Sequence, residues 1–204
     1  MSSDASSAGG AHASLTPSPW IVRFAHLVAP GARVLDVACG NGRHARFFAA
    51  RNACVVAVDR DAQAIAALAD VPGVEARIAD LENEVWPFAG ERFDAIVVAN
   101  YLHRPLLPLM VDALADDGVL LYETFARGNE AFGRPSNPGF LLEPGELVDL
   151  ALGRLAIVAF EQGFVAGAQR DAVVQRLAAV GRSRAWPPIL RPPEPAAASP
   201  HRMR

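Results

Sequence analysis

The stretch 34–49, VLDVACGNGRHARFFA, constrains this chain more than any other. An apolar run ends near Ala38, a turn with Gly40 and Gly42 follows, and a helical pattern begins at once. Glycines at such a turn accept positive φ and let a ligand come close to the backbone. The helix start beyond it presents free N–H groups. A buried strand, a glycine turn and a helix in this order belong to open α/β sheets, whose ligands sit at the carboxyl ends of the strands.

The rest of the chain repeats the unit. Short apolar runs predict strands over 33–38, 54–59, 74–79, 93–100 and 119–125. Helical patterns lie over 19–29, 41–52, 62–70, 104–115 and 144–152, with Asp61 as a cap and Pro105 and Pro108 confining the fourth helix to its later turns. Two strand-like runs close the chain, 154–162 and 171–180, and the second fits a helix almost as well. The alternation predicts an α/β fold: a doubly wound, mostly parallel seven-stranded sheet, helices on both faces, and a C-terminal antiparallel hairpin. Residues 127–142 hold three Gly and two Pro, a loop of unusual length that reads as either a functional lid or disorder.

A chain of 204 residues suits one such domain. We place it at 17–182, between a Ser/Ala/Gly-rich segment, 1–16, expected to be disordered, and a Pro-rich tail, 183–204. The net charge is −3 and all 19 basic residues are Arg, with no basic stripe, so no nucleic-acid partner is expected. The two cysteines have no CxxC spacing, which argues against a metal site or a disulfide framework. No apolar stretch approaches the ~18 residues that cross a bilayer. With no secretory signal, the expectation is a cytoplasmic protein.

The carboxylates at the strand ends select the cofactor. A nicotinamide nucleotide favours GxGxxG, and Ala45 stands where the third Gly would be. Asp36, just before the turn, would repel a pyrophosphate but accept a hydrogen bond from an ammonium group. Asp59 ends the second strand, where a carboxylate accepts ribose hydroxyls. Asp80 ends the third, beside an adenine amino group. A ligand with an amino-acid ammonium, a ribose, an adenine and no phosphate fits this set, and S-adenosylmethionine is such a ligand.

The segments DVACGNG, AVDRD, IAD and FDAIVVANYLH resemble, in order and spacing, the motifs of class I S-adenosylmethionine-dependent methyltransferases. The resemblance implies that Asp36, Ala38, Gly40, Asn41 and Gly42 line the methionine and ribose side. It implies that Asp59, with Arg60 beside it, meets the ribose. Asp80 and Leu81 would frame the adenine, and Asn100 and Tyr101 would close the pocket under the sulfonium. More narrowly, CGNGRHARFFA and FLLEPGEL are similar to the tellurite-resistance-type branch of small methyltransferases, which does not assign a substrate.

Near the methyl group the candidates are His103 as a general base, with Tyr101 and Glu123 as further catalytic residues. His103, Arg104 and Arg134 are the substrate-binding candidates, an Arg being suited to an anionic acceptor. Arg43 and His44 are placed to face the cleft, Arg127 reads as a solvated surface residue, and Cys39 as small packing. Leu102 and His103 replace the prolines of the amino-group methyltransferase motif, which argues against DNA adenine or glutamine as acceptor. The reading is an enzyme that passes a methyl group by SN2 displacement to a small molecule. The alternative is a non-catalytic S-adenosylmethionine-binding module that supports a partner protein. A bulky residue at Gly42 is expected to block the cofactor and leave the fold intact.

Overall fold

In the computed structural model, which describes residues 15–167 and 170–190, seven strands form one sheet in the order β3-β2-β1-β4-β5-β7-β6. The strands are β1 (Arg33–Val37), β2 (Cys54–Asp59), β3 (Val74–Ile78), β4 (Phe93–Ala99), β5 (Leu114–Phe125), β6 (Leu155–Val165) and β7 (Ala172–Gly181). The first five run parallel, and β7 pairs antiparallel with both β5 and β6. The doubly wound sheet with its terminal hairpin is as expected. β1 and β4 are apolar on both faces because both faces are covered.

One face packs on α1 (Pro19–Phe24), α2 (Arg43–Ala49) and α3 (Ala62–Ala66). There Val34, Val55, Val97 and Leu121 of the sheet meet Trp20, Phe24, Phe48 and Leu68. The other face packs on α4 (Leu106–Asp112) and α5 (Glu146–Ala151). There Leu35, Val98, Leu120 and Tyr122 meet Met110 and Leu147. Each such apolar side chain contributes about 1.5–3 kcal/mol on burial.

The helices are shorter than their sequence patterns, for local reasons. α2 stops at Ala49 because Asn52 takes a left-handed conformation and Ala53 N–H turns back to the Phe48 carbonyl. α3 tightens into turns after Ala66, ahead of Pro72. α4 gives way to an early first segment of β5, where Leu114 pairs with Phe93 before a register shift brings Val119 against Ala95. The ambiguous run 171–180 is a strand, inserted between β5 and β6 and buried on both faces.

The long loop is held at several points. Arg104 donates to the Gly139 and Leu141 carbonyls at 2.9 and 2.8 Å, and Asn129 bonds the Pro135 carbonyl and the Val173 N–H. The first residues of the Pro-rich tail are also packed: Arg184 donates to the Leu27 carbonyl, and the His26 ring meets the Ile189 carbonyl. The expected disorder of 1–16 and the end of the tail fall mostly outside the described residues.

Gln175 of β7 is fully buried, accepts from Leu147 N–H and donates to the Glu143 carbonyl, tying α5 to the sheet. Gln175→Leu strands both backbone groups and should cost about 1–3 kcal/mol. Urea denaturation reads the loss directly, and an unshifted midpoint would mean that water replaces the amide there.

Candidate cofactor-binding and active site

Ala38, Gly40 and Gly42 all take positive φ (51°, 53° and 72°), so the chain leaves β1 in a tight left-handed curl. Asp59, at the end of β2, closes it. One carboxylate oxygen accepts from Gly40 N–H at 2.8 Å and the other from Asp61 N–H at 2.9 Å. Each oxygen keeps a lone pair for a further donor. Asp61 in turn caps α3 by accepting from Gln63 and Ala64 N–H, as its position predicts.

Beside this turn lies a cavity of about 250 Å³ lined by Ala38, Asp59, Arg60, Asp80, Leu81, Asn100 and Tyr101, with Ala79 and Glu82. It sits at the carboxyl ends of β1–β4. Seven of the eleven cofactor residues read from sequence are therefore brought together. Glu82 is a member that sequence reasoning missed, although DLE places it two residues past Asp80. Asp80 is held by Glu82 N–H and the Asn83 side chain, which push its pKa below the usual carboxylate value. Asn100, also at positive φ, is fixed by its N–H to the Glu123 carbonyl.

Asp36 lies under the turn, 1% exposed. Burial pushes its pKa up to about 7, against the opposing pull of the Ala45 N–H and the Arg43 charge. Its Oδ2 is buried with no hydrogen-bond partner. A buried acceptor left unpaired costs roughly 1–3 kcal/mol, so the site favours an incoming donor. A cationic ammonium satisfies both the orphan oxygen and the charge, and the carboxylates of Asp59, Asp80 and Glu82 make the cavity hostile to phosphate. The donor set thus fits S-adenosylmethionine.

Residues 34–118 match the methyltransferase domain family. The rest of the chain lies outside that match. Solved structures of similar fold include TehB from Haemophilus influenzae, at 18% identity and TM-score 0.65 over 79% of this chain. The chain spans 61% of that protein's length. A TehB-like S-adenosylmethionine-dependent methyltransferase from Corynebacterium glutamicum shares 21% identity, TM-score 0.59, over 80% of this chain and 88% of its own. An S-adenosylmethionine-dependent methyltransferase from Mesorhizobium loti shares 18% identity, TM-score 0.63, over 82% of this chain and 100% of its own. No curated protein matches the chain.

Three of the sequence candidates, Glu123, Arg104 and Tyr101, stand in different surroundings. Glu123 is sealed: Ser18 Oγ donates to Oε1 at 2.8 Å and Arg176 Nε to Oε2 at 2.5 Å, leaving 8% of the residue exposed. Its engagement makes it a docking post rather than a catalytic acid or base. Arg104 spends its guanidinium on Glu146, in a two-pronged pair at 2.7 and 2.9 Å, and on the loop carbonyls, so it anchors structure instead of binding substrate. Tyr101 is a wall of the cavity. Burial and the nearby Glu82 and Asp80 charges raise its pKa further, which disfavours proton transfer at neutral pH.

His103 is half-buried at the entry to α4, and no hydrogen bond of its ring is seen among the described residues. Arg134 is exposed on the loop, and Arg127 pairs with Glu143 at the surface. His44 is buried at 2% exposure and does not line the cavity, and Cys39 is packing, its thiol pKa raised by burial. Gly42 also corrects an expectation. A Cβ there would run into the Leu68 side chain in the core, so a bulky residue disturbs the fold as well as the site.

Asp59→Ala removes the clasp of the turn together with the ribose acceptor. It should weaken S-adenosylmethionine binding by roughly 1.5–3 kcal/mol, as measured by calorimetric titration. Unchanged affinity would undo the ribose assignment.

Proposed function

We propose that this domain transfers the methyl group of S-adenosylmethionine to a small-molecule acceptor seated over the carboxyl ends of β4 and β5, in the cytoplasm. The observation that carries the reading is the orphaned Oδ2 of Asp36, two residues before Ala38, which lines a cavity with the carboxylates of Asp59, Asp80 and Glu82. When bound, S-adenosylmethionine supplies a methyl group on a positively charged sulfur, available for in-line displacement.

Asp36 holds the ammonium end, Asp59 the ribose, and Asp80 with Leu81 the adenine edge. Gly40 adds room, since a Cβ there would meet no protein atom within 4 Å. Asn41 and Gly42 shape the same turn, and Arg60 screens the cavity mouth beside Glu82. Asn100 and Tyr101 close the floor and exclude water. With a sulfonium as leaving group, alignment and desolvation supply much of the rate. His103 takes the proton of an acceptor that carries one at neutral pH, and Arg134 meets an anionic acceptor from the loop.

Calorimetric titration with S-adenosylmethionine, and with NAD as control, tests the reading. Saturable micromolar binding of the first and none of the second is expected. Binding of NAD alone, or of neither, contradicts it. Acceptor screening with a labelled methyl group then separates a transferase from a binding module, and His103→Ala should slow a proton-bearing acceptor by about 10²-fold or more.

A further inference from the structure

Ser18 joins the two halves of the site, and neither half explains it alone. It is 3% exposed and caps α1, accepting from Trp20 N–H at 3.1 Å. Its own N–H donates to His44 Nε2 at 3.1 Å, and its hydroxyl donates to Glu123 Oε1 at 2.8 Å. His44 stands in the first turn of α2, directly before Ala45, whose N–H holds Asp36. Glu123 lies two residues before the end of β5, and its carbonyl holds the N–H of Asn100 on the cavity wall. Ser18 therefore spans from the residue that grips the cofactor's amino-acid end to the strand end where the acceptor approaches.

The partners are built for this and for little else. His44 accepts at Nε2, so its ring proton sits on Nδ1, and burial with the Arg43 charge lowers its pKa to about 3. The ring stays neutral and its acceptor role holds at every physiological pH. Arg176 neutralises Glu123 from β7, and is itself within 3.4 Å of Glu161, which pairs with Arg23 of α1 at 3.0 Å. The ladder clamps α1 to the antiparallel edge and sets where Ser18 lies.

We propose that Ser18, with His44 and Glu123, is a positioning unit for methyl transfer: it steadies the Ala45 N–H that holds Asp36 and the Glu123 carbonyl that holds Asn100, and so the setting of cofactor against acceptor. Misplacement of reacting groups by an ångström is costly even when its cause lies away from the chemistry. The proposal rests on the methyltransferase reading of the same site.

Ser18→Ala, Ser18→Thr, His44→Leu and His44→Gln test it by calorimetric titration with S-adenosylhomocysteine, beside urea denaturation of each variant. Ser18→Ala and His44→Leu should weaken binding about tenfold, the equivalent of one good hydrogen bond. Ser18→Thr and His44→Gln, which keep the hydroxyl and the acceptor, should recover most of it at equal or lower stability. Two variants at each position keep the test open if one fails to fold. Stability losses with unchanged affinity would make the unit purely structural and overturn the proposal. Absence of binding in the unaltered protein would instead overturn the methyltransferase reading.

Discussion

A single buried carboxylate sets the terms for this domain. Asp36 lies between the sheet and α2, and only one of its oxygens is satisfied from within the protein, by Ala45 N–H. Removing a charge from water without pairing it is expensive, and the group answers by holding its proton to about pH 7. Such a site is a debt of polar contact that a cation discharges. Under the proposed function, the glycine turn, the cross-tie of Asp59 and the wall at Asn100 place a cofactor's ammonium against that oxygen.

The fold delivers the carboxylate by simple means. Parallel pairing of β1 with β2 and β4 brings the ends of adjacent strands to one edge, so Asp36, Asp59 and Asn100 converge although far apart in sequence. Positive φ at Ala38, Gly40 and Gly42 turns the chain sharply enough to leave a cavity there. Ala38 bears a Cβ in a region that favours glycine, at a local cost of about 1–2 kcal/mol that surrounding contacts must offset. Ser18 and the ladder of Arg23, Glu161 and Arg176 tie α1 to β5, β6 and β7.

Much of this was legible in the sequence. The strand periodicity, the glycine turn and the strand-end carboxylates are local signals, and they located the sheet, the hairpin and the cavity residues. The failures share a cause. Glu123 and Arg104 carry ionic side chains at plausible places, but their partners, Arg176 and Glu146, lie 53 and 42 residues away. Pairing at that distance has no local signature, so both looked free to act. Ser18 escaped for the same reason: its bonds to His44 and Glu123 span 26 and 105 residues. The short helices failed differently, through turn conformations at Asn52 and after Ala66 that a helical pattern does not encode.

The most direct test is carboxyl carbon-13 NMR of Asp36, titrated free and with S-adenosylhomocysteine, whose ammonium matches that of the cofactor. In the free protein the folded state holds this proton longer than the unfolded state does. Asp36 therefore subtracts stability as pH rises from its ordinary value towards about 7, and the loss levels off above that. The account predicts a titration near pH 7 without ligand and a fall of at least about one unit on binding, as the ammonium favours the charged form. A free pKa near the ordinary 3.8, or one that S-adenosylhomocysteine leaves unmoved, would contradict it.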